Sequence, residues 1–115
     1  MLKSKLHRAR VTETRLNYPG SILIDAALMK AAGMLPYEAV LIADLNNGSR
    51  VETYAVPAPA NSGQVVVLGA AAKLMKKNHI VIIFSFCYCA AAEARKVKPK
   101  VILLDERNKI INRKS

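Results

Sequence analysis

The sequence predicts a mainly β chain, barrel-like or sandwich-like, with short helices. Two observations carry this expectation: β-branched and aromatic residues gather in short runs bounded by Gly, Pro, Asn and Ser, and only two brief segments favour helix. Length agrees with it, because 115 residues, 52% of them hydrophobic, suffice for a single domain over 1–115 and are too few for two independent cores. No internal repeat, low-complexity segment or linker interrupts the chain.

Lys3 to Val11 alternates with period two and reads as a strand, with Lys5, His7 and Ala9 on one face and Leu6, Arg8 and Arg10 on the other. Thr12 to Gly20 carries turn formers and ends in Tyr18-Pro19-Gly20, after which Ser21 to Ile24 is extended. Asp25 is a fitting N-cap for a helix over Ala26 to Ala32, and Gly33 stands where a left-handed closing residue is wanted. Ala39 to Asp44 and Val51 to Val56 are strands joined through Asn46-Asn47-Gly48, a hairpin-type turn. Pro57, Pro59, Asn61, Ser62 and Gly63 mark a loop before a strand over Gln64 to Leu68. Gly69 to Met75 predicts one or two helical turns, Ile80 to Cys87 the most buried strand, and Val101 to Leu104 a final strand. The basic tail from about 105 to 115 is expected to be loosely held.

Lys and Arg number 18 against 8 Asp and Glu, a net charge of +10. A basic nucleic-acid-binding module is therefore one alternative, with the excess gathered at both ends. Aromatics are only 5% of the chain and sit inside apolar runs, which argues against that reading, since such modules stack bases on exposed rings. Cys87 and Cys89 are one residue apart, too close to bridge without strain, and read as reduced packing thiols; no His or Cys cluster completes a metal site. The N-terminus is charged and lacks an apolar core, and Ile80 to Ala92 is too short to span a bilayer, so a cytoplasmic protein without a membrane segment is expected.

The chemistry-bearing residues are Lys5-Leu6-His7-Arg8, Val11-Thr12, Leu16-Asn17-Tyr18-Pro19-Gly20-Ser21, Ile24-Asp25, Ala31-Ala32-Gly33, Asn47-Gly48-Ser49-Arg50, Thr53-Tyr54, Gly69-Ala70-Ala71-Ala72, Ser85-Phe86 and Glu93-Ala94-Arg95. In order and spacing, over about residues 2 to 101, this set resembles the aspartate 1-decarboxylase family. The resemblance implies a double-psi β-barrel, assembled as a homotetramer with active sites between neighbouring subunits. It also implies a zymogen that cuts itself between Gly20 and Ser21 into chains 1–20 and 21–115, turning Ser21 into a pyruvoyl group. Substrate L-aspartate would form a Schiff base with that ketone, lose carbon dioxide and leave β-alanine for pantothenate and coenzyme A.

Residue by residue, the resemblance makes Ser21 and Tyr54 catalytic, Tyr54 protonating the former α-carbon; a phenol, with an ordinary pKa of about 10, carries that proton at neutral pH. It gives Lys5 and Arg50 to the substrate carboxylates, Thr53 to self-cleavage and substrate contact, and Gly69, Ala70 and Ala71 to substrate contact through their backbone. His7 and Tyr18 support the site. Gly20 suits the cleavage because a residue without Cβ adopts conformations that let the serine oxygen approach the preceding carbonyl. Three departures stand out: Leu68 where the family usually has Asn, Asn78-His79 where it has Gly-Asp, and Pro19 beside the scissile glycine. They leave open a non-cleaving relative, a maturation factor and an unrelated enzyme on a similar barrel. His79, which matches nothing in the family, reads as a surface loop residue.

Overall fold

Runs of β-branched residues meet edge to edge along most of the chain. The computed structural model describes residues 1–114. Its strands are β1 (Leu2–Arg10), β2 (Glu13–Arg15), β3 (Ser21–Asp25), β4 (Ala39–Asp44), β5 (Arg50–Ala58), β6 (Val65–Leu68), β7 (Ile80–Phe86), β8 (Lys100–Leu104) and β9 (Ile110–Lys114). The helices are α1 (Ala26–Ala32) and α2 (Ala91–Ala94), with a 3-10 turn over Gly69–Lys73. Among the described residues, nine strands form one mixed sheet in the order β2-β6-β3-β5-β4-β7-β1-β8-β9. The chain is mainly β, and this crossed-over sheet with short helices is consistent with a double-psi β-barrel. No helix among the described residues is long and apolar enough to cross a membrane.

The core is aliphatic: Leu6, Ile22, Ile24, Ile42, Val65, Val67, Val81, Ile83 and Ile102 are fully buried or nearly so. Helix α1 closes one end of it by packing on β1, β3, β5 and β8. Its N-cap is Asp25, whose Oδ1 accepts from Ala27 N at 2.8 Å, and Gly33 closes it at φ +70°. The buried Asp25 carboxylate also accepts from Asn61 N and Gly63 N, both at 2.9 Å, tying the Pro-rich loop to the end of β3.

Several expectations are corrected. Arg8 takes φ +67° in a bulge that shifts the β1–β7 register between Leu6 and Ala9, so Ala9 joins Leu6 in the core and leaves the side of Lys5 and His7. Residues 13–15 form β2 rather than a turn, because β6 offers them a parallel partner, Glu13 to Val66. Strand β5 runs through Pro57, beyond the stretch paired with β4, where a missing N–H breaks no ladder bond on that side. The most buried strand is β6, all four residues of which are buried; β7 alternates, with Ile80, Ile82 and Phe84 only half-buried.

The largest correction concerns the tail. Residues 110–114 form β9 on β8, and Asn108, at the turn between them, is buried. Its Nδ2 donates to Arg10 O and Gly63 O at 2.9 and 2.8 Å, and its Oδ1 accepts from Arg10 N at 2.7 Å. Only residue 115 of the expected loose tail lies outside the described residues.

Candidate active site

Ser21 opens β3 and is 6% exposed, because β3 lies between β6 and β5. On one side it faces Leu68 in the antiparallel β3–β6 pair. On the other, β3 and β5 are parallel with Ile22 opposite Ala55, so one residue back on each strand brings Ser21 level with Tyr54. The position where the resemblance expects an asparagine is therefore directly across from the serine.

The segment before Ser21 is fixed by a backbone approach. Gly69 takes φ +82°, and a Cβ built on it would lie 2.7 Å from Gly20 Cα, 3.0 Å from Gly20 N and 3.1 Å from Tyr18 O. No side chain fits there. The glycine whose smallness the geometry demands is Gly69, whereas Gly20 has no left-handed φ and open space beside it, contrary to the expectation placed on it. Gly69 also begins the 3-10 turn on which Ala70 is exposed and Ala71 half-buried.

Strand β5 alternates outward with Arg50, Glu52 and Tyr54 exposed, while Thr53 points the other way and is half-buried. Arg50 is about 13 Å from Tyr54 along the strand at ~3.3 Å per residue. Glu52, an acid between them on the same face, did not figure in the sequence reading. Tyr54 is 38% exposed, and the ring of Tyr37 stands 6.2 Å from its ring at 38°. Tyr37 too went unnoticed in the sequence, where a Pro-Tyr pair signals only a turn.

Tyr18 is half-exposed, with the Arg15 guanidinium 5.3 Å over its ring and Arg15 Nη1 donating to its hydroxyl at 3.3 Å. The hydrogen bond to Tyr18 and the ion pair with Glu13, at 2.8 Å, hold the guanidinium pKa above its ordinary value. Arg15 also pairs across β2–β6 with Leu68, so Arg15, Leu68 and Ser21 make one row across three strands. The sequence reads β2 as a turn and so gives no place to this cation, two strands from the serine.

Lys5 and His7 stand apart. They lie on β1, four places from β3 in the sheet, and Lys5 Nζ is 5.9 Å from the Phe84 ring. Burial pushes the His7 pKa down, helped by the charges of Lys5 and Arg8, so its imidazole is neutral at neutral pH. Its Nδ1 is buried without a hydrogen-bond partner among the described residues. His79 is not a free loop residue: its Nδ1 lies 2.7 Å from Oδ2 of buried Asp44. Cys87 and Cys89 are free thiols.

A single chain thus brings together Gly20, Ser21, Tyr18, Tyr54 and Gly69, with Arg50 further along β5 and Lys5 and His7 on β1. Cavities of about 430 and 350 Å³ lie by Phe86 and Met29, and neither is lined by Ser21 or Tyr54. No group of three or more His, Cys, Asp or Glu among the described residues could hold a metal ion. What the junction offers chemically is a buried hydroxyl beside a carbonyl, with a phenol at the same level on the next strand.

Comparison with known proteins gives a family. The model described as aspartate decarboxylase matches residues 1–111. The aspartate 1-decarboxylase of Moorella thermoacetica is 54% identical over 110 residues, covering 96% of this chain and 86% of the relative. That of Caulobacter vibrioides is 51% identical over 110 residues, 96% of this chain and 93% of the relative.

Proposed function

Because the chain belongs to the aspartate decarboxylase family, we propose that it is a carboxy-lyase that converts L-aspartate to β-alanine and carbon dioxide after cutting itself between Gly20 and Ser21. The β-alanine would serve pantothenate and coenzyme A synthesis. The observation that carries this reading is the junction itself, where Gly69, at φ +82°, leaves room for the Gly20 backbone and Ser21 is buried beside it.

In maturation the Ser21 Oγ attacks the Gly20 carbonyl carbon, and the peptide becomes an ester. Loss of the residue 21 α-proton expels the Gly20 carboxylate; water then replaces the nitrogen, which leaves as ammonia, and a ketone remains. Thr53, next to Tyr54 on β5, is the proposed assistant through its hydroxyl. The surroundings suit such a group: residue 21 is shielded from water, flanked by Leu68 and level with Tyr54. The pyruvoyl ketone supplies an electrophilic carbon for the substrate amine and a sink for the electron pair that carbon dioxide leaves behind.

The remaining work belongs to side chains. The Tyr54 hydroxyl delivers a proton to the former α-carbon, and Arg50 meets one substrate carboxylate with its planar fork. Ala70 and Ala71, after Gly69, offer backbone groups with little side chain in the way. Tyr18 and its Arg15 partner border the cut. Lys5 and His7 lie on β1, four places from β3 in the strand order. They would come from a neighbouring copy, in keeping with a homotetramer whose sites lie between subunits.

Leu68 favours a second reading, a relative that keeps the fold without cleaving. An asparagine opposite Ser21 could hydrogen-bond the reacting carbonyl, and a leucine cannot. A maturation factor is then required only if the purified chain stays whole. The intact mass of the unmodified chain decides between the two, and Ser21→Ala tests the mechanism: it is expected to abolish both cleavage and carbon dioxide release from aspartate. Turnover by that variant contradicts the mechanism.

A further inference from the structure

We propose that Tyr37 is a positioning residue that holds the phenol of Tyr54 for proton delivery, an inference that rests on the decarboxylase reading. The segment carrying it is anchored from below. Oε1 of Glu38 accepts from Lys3 Nζ at 2.7 Å and from Leu35 N at 3.4 Å, and Oε2 accepts from the buried Ser85 hydroxyl. The Leu35–Glu38 turn is thereby tied to both β1 and β7.

Two backbone bonds then extend the β4–β5 ladder past its last pair, Ala39 with Tyr54. Tyr37 N donates to Ala55 O at 2.7 Å, and Ala55 N donates to Glu38 O at 3.0 Å. To make them Tyr37 adopts φ +68°, the left-handed region that disfavours a bulky side chain and favours glycine or asparagine. Burial within its own chain does not offset that strain, since Tyr37 is 75% exposed there. What its ring does touch is Tyr54, at 6.2 Å between centroids. A strained, solvent-facing aromatic whose described ring neighbour is the proposed proton donor is placed to restrict that donor's rotamers, and such strain concentrates at functional sites. The anchoring explains why the position is not free to relax.

The test uses a contrast that a structural role does not produce. Tyr37→Gly relieves the left-handed backbone, so its melting temperature should be no lower than that of the unmodified chain. Its intact mass should show the same cleavage at residue 21. Its kcat on aspartate should nevertheless fall about tenfold with KM unchanged, as expected when a general acid is misplaced. The solvent deuterium isotope effect on kcat should rise because proton delivery has slowed. Tyr37→Phe, which keeps the ring, should restore both values. Unchanged kcat in Tyr37→Gly, or an equal loss in Tyr37→Phe, overturns this inference alone. An unmodified chain that neither cleaves nor releases carbon dioxide overturns it together with the decarboxylase reading.

Discussion

A methyl group added at Gly69 would sit 2.7 Å from the Gly20 Cα, against backbone that cannot step aside. Gly69→Ala is accordingly expected to cost about 1–3 kcal/mol, from the left-handed φ and the clash together. It should also slow cleavage, measured as the fraction of chain cut over time by mass. Glu38 carries a different prediction. Burial raises its pKa, but hydrogen bonds from Lys3, Ser85 and Leu35 N outweigh that and leave it below the ordinary 4.5. A depressed folded pKa means stability present above the unfolded pKa and lost as pH falls through the folded one. Glu38→Gln should therefore destabilise by roughly 1–2 kcal/mol at pH 7, with the gap closing as the pH falls through the lowered pKa of the folded carboxylate, as read by urea midpoints across pH. At this scale Ser21 and Tyr54 were marked in the sequence by the family motifs they sit in. Tyr37, Arg15 and Glu52 were not, since what matters about each is a register or a backbone angle that no short pattern encodes.

Strands with their own apolar run were visible in the sequence: β3, β4, β6 and β8 fall close to where alternation and turn residues put them. Those that depend on a partner were not. Strand β2 is three polar residues stabilised by β6, and β9 is a stretch with two basic residues that pairs with β8. The face assignment of β1 failed past His7 because a one-residue bulge reverses every later side chain. The C-terminal hairpin is consequently part of the structure. Asn108→Ala would leave Arg10 N and Gly63 O without their partners, and Gly63 N in turn holds Asp25 at the end of β3. A loss of about 1–3 kcal/mol is expected, measured by chemical denaturation, well above that of an ordinary tail substitution.

At the scale of the whole molecule, the residues proposed for the site are spread over several strands. The proposed serine and phenol lie level on the neighbouring strands β3 and β5, whereas the lysine and histidine lie on β1. The fold class could be read from composition and strand spacing, but the separation of Lys5 from Ser21 could not, because it follows from strand order and not from distance along the chain. Everything proposed about turnover depends on the bond between residues 20 and 21 being cut by the chain that contains it. The direct measurement is the intact mass of the freshly purified, folded protein. The account predicts two fragments, 1–20 and 21–115, the larger lighter by one ammonia and resistant to amine-directed sequencing. A single chain of undiminished mass that persists under every maturation condition tried would contradict it.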